Sequence, residues 1–157
     1  MSELPTDFEV GGDTFAVRTF AVKDGRLTSI THGSGHWNDG RCLAICTVHP
    51  DDPDHMVPSE DCTCGIYAWW RPEQLLDQYE DHAKRVIAVI RMEGACIEGD
   101  RGVKSNAAEI VAWWVADCDD TAMLAAACEA SAPGARRFFD RDVMTGLHPT
   151  GRSHTNG

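Results

Sequence analysis

Cys62-Thr63-Cys64 brings two thiols close together just before Gly65, a residue whose missing side chain lets the backbone bend sharply. Cys46 and His55 precede them with eight and six residues between, so a Cys-x8-His-x6-Cys-x-Cys pattern is available. Three sulfurs and one imidazole nitrogen make a donor set suited to zinc, which takes about four S or N ligands in a tetrahedron and often draws neighbouring ligands from one tight turn. Cys42 and His49 compete for the first two positions, because Cys42-x3-Cys46-x2-His49 is also compact enough to chelate. The seven cysteines are an odd number, and the N-terminus lacks the basic start and apolar stretch of a secretory signal, so metal binding or burial is expected rather than a disulfide framework. Cys96, Cys118 and Cys128 stand singly in apolar surroundings and read as core thiols.

No familiar catalytic pattern accompanies the cluster. The His-x-Glu and Pro-Cys-x2-Cys halves of a zinc deaminase are missing, as are His-Glu-x2-His, Gly-x-Ser-x-Gly and a Walker phosphate loop. Asp51, Asp52 and Asp54 lack the turn glycine and bidentate glutamate of a calcium loop and read as a solvated turn.

The elements that must position the cluster are those of one α+β domain, expected over residues 1–144 and followed by a frayed tail, 145–157. Phe15–Val22, an Asp24-Gly25 turn and Leu27–Thr31 read as an N-terminal hairpin. From His32 to Cys64 the chain is rich in Gly, Asp, Pro and His without a sustained period, and a segment of that length needs something to order it, which a metal supplies. Leu75, Leu76, Tyr79 and Ala83 recur at helical spacing behind Pro72, and a second helix is expected over Thr121–Ala130, capped by Asp119 or Asp120. Val86–Met92, Ala95–Glu98 and Glu109–Val115 read as strands of a small, largely antiparallel sheet. The expected architecture is therefore a hairpin, that sheet, two helices and a metal-stapled loop.

Net charge and aromatic pairs bear on partners. The chain carries a net charge of -11, but residues 133–157 hold four arginines and two acids, so that tail is +2 and the remainder -13. Such a body repels nucleic-acid phosphates and anionic lipid, and weak or no binding to duplex DNA is expected. No apolar run exceeds seven residues, against about 20 for a membrane span, and a cytoplasmic location is expected. Trp113 and Trp114, adjacent in a strand, point to opposite faces, so one is expected at a partner or homo-oligomer contact unless the sheet is covered twice. Trp70 beside Arg71 offers similar interface chemistry.

Val17-Arg18-Thr19-Phe20-x3-Asp24-Gly25-x-Leu27-x-Ser29, Trp37-x2-Gly40, Ala44-x-Cys46, His55-x2-Pro58 and Cys62-Thr63-Cys64-Gly65-Ile66-Tyr67-Ala68 together resemble a family of small actinobacterial and actinobacteriophage proteins marked by Cys-x-Cys-Gly-Ile-Tyr-Ala. The resemblance runs from about Phe15 to Val143 and is specific only in that block. It implies Cys46, His55, Cys62 and Cys64 as the ligand set ahead of Cys42 and His49, and it places Lys104 where relatives are expected to carry arginine. It implies an actinobacterial or phage origin and brings no reaction with it. The functional expectation is a non-catalytic, zinc-stabilised module that binds a host protein or itself. The competing expectations are a small metal-dependent enzyme with one open zinc position and an acidic DNA mimic.

Overall fold

The computed structural model describes residues 14–30, 37, 39–44, 46, 51, 52, 54–59, 62 and 64–150. Its spine is a long hairpin of β6 (Val86–Glu98) and β7 (Gly102–Val115). Val86, Ala88, Ile90 and Met92 face one side of β6, Ile87 and Val89 the other, and all six are buried. An unbroken apolar run is what a strand covered on both faces requires.

The remaining strands arrange themselves on this hairpin. β1 (Phe15–Arg18) pairs with β6, and β5 (Ile66–Trp69) pairs with both β1 and the start of β7, so the pairings β7–β5–β1–β6–β7 close into a ring. Because β6 occupies one edge of β7 along its length, short strands share the other edge in turn. β5 lies opposite residues 102–105 and β4 (Arg41–Leu43) opposite 107–109, while β8 (Arg136–Phe138), among the described residues the only parallel partner, lies opposite 112–114. The fold is α+β with a mostly antiparallel sheet, and β2 (Ala21–Lys23) and β3 (Arg26–Thr28) form a separate two-stranded hairpin. That hairpin turns through Asp24 and Gly25 at φ 54° and 77°, the left-handed pair that an Asp-Gly hairpin turn needs. The first expected strand is thus broken in two at Thr19–Phe20, where the Thr19 hydroxyl donates to the Val86 carbonyl and β1 joins the main sheet.

Four helices are found among the described residues: α1 (Pro72–Gln78), α2 (Glu80–Ala83), α3 (Thr121–Ser131) and α4 (Arg141–Leu147). Leu124 and Cys128 of α3 pack with Leu27, Ile90 and Trp113 on one face of the sheet. Leu75 of α1, Ala83 of α2 and Met144 of α4 pack with Val17, Ile87 and Val89 on the other. The Leu75 and Leu124 helices therefore lie on opposite faces, and the sheet is covered twice. Trp114 accordingly has a cover of the chain's own elements.

Other corrections have local causes. Ala95–Glu98 is the outer part of β6, continuous past a bulge between Glu93 and Cys96 where the register with β7 shifts. Beyond that bulge the β6 arm of the hairpin leaves the core, so Cys96 is exposed, as is Cys118 in the turn before α3, and only Cys128 of the three is a core thiol. Asp120 occupies the first cap position of α3 without capping it. Its carboxylate instead meets Arg85 at 3.2 Å, and the Thr121 hydroxyl accepts from the Cys118 N–H at 2.7 Å. Helix α4 continues through Thr145, where a frayed tail is expected, because Asp140 accepts from the N–H groups of Asp142 and Val143 and Met144 is buried. His148 then packs edge-on against Phe15 and Phe138, and the Thr150 hydroxyl donates to the Trp70 carbonyl.

Gly102 is where β5 approaches β7 most closely: a Cβ there would stand 2.1 Å from the Ala68 carbonyl oxygen. Gly102→Ala should break the β5–β7 contact and cost about 3 kcal/mol or more, in the range of overpacked or strained sites. Urea unfolding monitored by tryptophan fluorescence measures the loss, and a midpoint unchanged from the parent protein would contradict this packing.

Candidate metal centre

Strand order on the edge of β7 determines how the cluster is held. The chain leaves that edge at Leu43, opposite Ala107, and returns at Ile66, opposite Ser105, so residues 44–65 form an excursion whose ends meet on neighbouring positions of one strand. The Ala44 N–H, donating to the Asn106 carbonyl at 2.8 Å, ties down the outgoing root. Cys46 and Cys64 stand at the two roots, and His55 and Cys62 come from the excursion itself. Turns set the latter two: the His55 N–H donates to the Asp52 carbonyl at 3.2 Å, the Asp54 N–H to the Asp52 carboxylate at 3.0 Å, and the Cys62 N–H to the Ser59 carbonyl at 3.3 Å. At Gly65, φ is +117°, and a Cβ would press on that of Pro58 at 3.1 Å. A side chain there would push the excursion off its root.

The structure brings together one ligand atom from each of Cys46, His55, Cys62 and Cys64, all within 4.8 Å of one another. Cys46 Sγ and Cys62 Sγ are 3.6 Å apart, and His55 Nε2 and Cys64 Sγ 3.4 Å. A tetrahedron with Zn–S near 2.3 Å and Zn–N near 2.05 Å has edges of about 3.8 Å between sulfurs and about 3.6 Å between sulfur and nitrogen. These two donor pairs are spaced close to the edges of such a tetrahedron. They are far from the roughly 2.05 Å of a disulfide, and all seven cysteines are free. Cys46 and Cys64 are buried while His55 and Cys62 are half-buried, so an ion here would be shielded on the strand side. No other group of three or more His, Cys, Asp or Glu residues among the described residues could hold a metal.

Electrostatics favours a cation at this point. Burial, then hydrogen bonding and repulsion from Cys62 and Cys46, push the Cys64 thiol up to about 11. Without a cation Cys64 keeps its proton at neutral pH, and a metal held by thiolates has to displace the protons of its sulfur ligands. Metal uptake should therefore release about three protons at pH 7, one per sulfur, and should weaken as pH falls, because protons compete for the same donors. Zinc titration in a weakly buffered indicator solution counts the protons, and uptake without acidification would contradict the assignment.

Lys104 on β7 completes the surroundings. Its ammonium donates to the carbonyls of Ser59 and Cys62 at 2.5 and 2.7 Å, and lies 5.7 Å from the centre of the Tyr67 ring. It thereby fastens the excursion, and with it the backbone of Cys62, to the sheet. Nothing in the spacing of the sequence marks this role, which depends on strand register setting Lys104 opposite Tyr67. Lys104→Met should weaken metal retention about 10-fold or more, as losses of groups around a metal's ligands do. Competition against a chromophoric chelator measures this, and equal retention would show Lys104 to be incidental.

The other candidates lie elsewhere. Cys42 points from β4 into the core near Arg18, its thiol pushed up by burial and partly relieved by the guanidinium charge, and it does not join the cluster. His49 lies outside the described residues. The Trp70 indole N–H donates to the Gly99 carbonyl at 2.8 Å, pinning the tip of the long hairpin. Arg71 is exposed at the start of α1, its N–H bonded to the Gln74 side chain at 3.0 Å. Trp113 is 1% exposed, and Trp114 is half-buried with the Arg141 guanidinium 5.8 Å from its ring. No helix is long and apolar enough to cross a membrane among the described residues. No protein-family model matches the chain, and comparison with curated proteins and with solved structures returns no match.

Proposed function

We propose that this chain is a non-catalytic binding module whose excursion between β4 and β5 is stapled by one structural zinc ion held by Cys46, His55, Cys62 and Cys64. The supporting observation is the donor set: one ligand atom from each of four residues lies within 4.8 Å of the others, and four protein ligands filling a tetrahedron would leave no position for water or substrate. Three cysteines and one histidine are a composition of structural zinc sites, whereas catalytic zinc keeps an open position. The partner is a protein, and under the actinobacterial or phage resemblance it is a host protein met in the cytoplasm. The competing enzyme reading needs a ligand position that this donor set does not leave.

Cobalt substitution separates the two. A closed site loaded with Co(II) should show intense tetrahedral absorption with thiolate charge-transfer bands, unchanged by added azide or cyanide. A spectrum that shifts on adding either anion would reveal an open position and overturn the structural role.

A further inference from the structure

β8 is an edge. It pairs with β7 alone, and among the described residues no other strand or loop backbone bonds to its outer side. Three arginines surround it. The Arg136 guanidinium lies 4.5 Å from the Phe138 ring centre, and that of Arg137 is sandwiched between Trp113 at 5.3 Å and Phe139 at 4.4 Å. Arg141 stands over Trp114 with only the Asp142 carboxylate near it, at 3.9 Å. Among the described residues the Arg136 and Arg137 side chains make no hydrogen bond and no ion pair, and Arg137 Nε is buried without a partner. Beside them Phe139 is 79% exposed, and Val143 and Leu147, one turn apart on α4, are 51% and 57% exposed.

This combination is unusual for a chain of net charge -11, which has ample carboxylates yet sets none against these two guanidiniums. Aromatic stacking orients the guanidiniums in advance, so an incoming carboxylate meets donors that lose little freedom on binding. An open strand edge offers main-chain hydrogen bonds to an extended peptide, and the exposed apolar side chains offer it an anchor. The geometry points to a docking site for an acidic, extended segment of a partner protein, which adds a strand to β8. Carboxylates on one face of the added strand meet Arg136 and Arg141 and one on the other face meets Arg137, and an apolar side chain rests on Phe139. A polynucleotide would gain nothing from the strand edge and would be repelled by the -13 carried by the rest of the chain.

This inference rests on the binding-module reading above but not on the metal. The test uses the full chain and a fluorescent ten-residue peptide in which Glu pairs alternate with Val pairs around one Phe, so that carboxylates reach both faces of the added strand, its Lys-for-Glu counterpart, and an oligothymidylate, each followed by anisotropy. The acidic peptide should bind at least 10-fold tighter than either of the others, weaken with added salt, and lose about 10-fold with Arg136→Glu or Phe139→Ser, two exposed positions whose variants are checked for an unchanged melting curve. No acidic-peptide binding at about 1 mM, oligothymidylate binding as tightly, or equal binding by both variants would each overturn the site; so would self-association that these variants abolish. Metal content is measured on the same samples. A metal-loaded protein inert to the peptide sinks this surface alone, and a metal-free protein that binds it sinks the zinc staple alone.

Discussion

Cys64→Ser should cost about 4 kcal/mol or more and lower the melting temperature by about 10 °C, while Cys96→Ser should change stability by less than about 0.5 kcal/mol. The two cysteines are 32 positions apart in sequence and differ chiefly in what surrounds them. Cys64 sits buried at the returning root of the excursion with three other donors within 4.8 Å, whereas Cys96 is exposed on the outer arm of the long hairpin. Replacing Cys64 removes one donor from the tetrahedron, and the remaining three hold an ion much more weakly. Among the described residues the excursion joins the two core clusters only through Ala44, so much of its order then falls to its turn hydrogen bonds and to Lys104. Paired melting curves of the two variants, with metal content measured on each, test this. Equal losses at the two sites would show that the cluster does not carry stability.

Trp113→Ala should be the costliest change in the core, at about 3–5 kcal/mol, and Trp114→Ala should cost about half as much. Trp113 is 1% exposed and fills the space between the sheet and α3, so its removal leaves a cavity lined by side chains that cannot collapse together. It also leaves the Arg137 guanidinium without one of its two aromatic faces. Trp114 lies on the opposite face, half-buried under α4, where water and the Arg141 stem can fill part of the gap. Denaturant unfolding of both variants gives the comparison. A Trp114 variant as damaged as the Trp113 variant would mean that the second face is a core of equal weight.

Much of this architecture is legible in the sequence wherever a local pattern coincides with a tertiary one. The Asp24-Gly25 turn fixes its hairpin through backbone conformation alone, and the apolar run of Val86–Ile90 needs only two covers to be a central strand. The four candidate ligands stand out because thiols and imidazole at short spacing have few structural uses besides metal binding. What escapes a linear reading depends on bulges and on contacts across long separations. The bulge at Glu93–Cys96 carries Cys96 out of the core, and no feature of the surrounding residues reports it. Helix α4 is short and contains β-branched Val143 and Thr145 with Gly146, so its own propensity is poor, and it is held by the Asp140 cap and the burial of Met144. The face on which a helix lies is likewise set by chain reversal, which is why Leu75 and Leu124 read alike in sequence yet cover opposite sides of the sheet.

The staple itself is tested most directly by metal content. Protein purified without chelator or added metal, then weighed by native mass spectrometry and analysed for metals, should carry one zinc per chain. On acidification the ion should be lost and about three protons regained. Well-folded protein with metal content near zero would contradict the account.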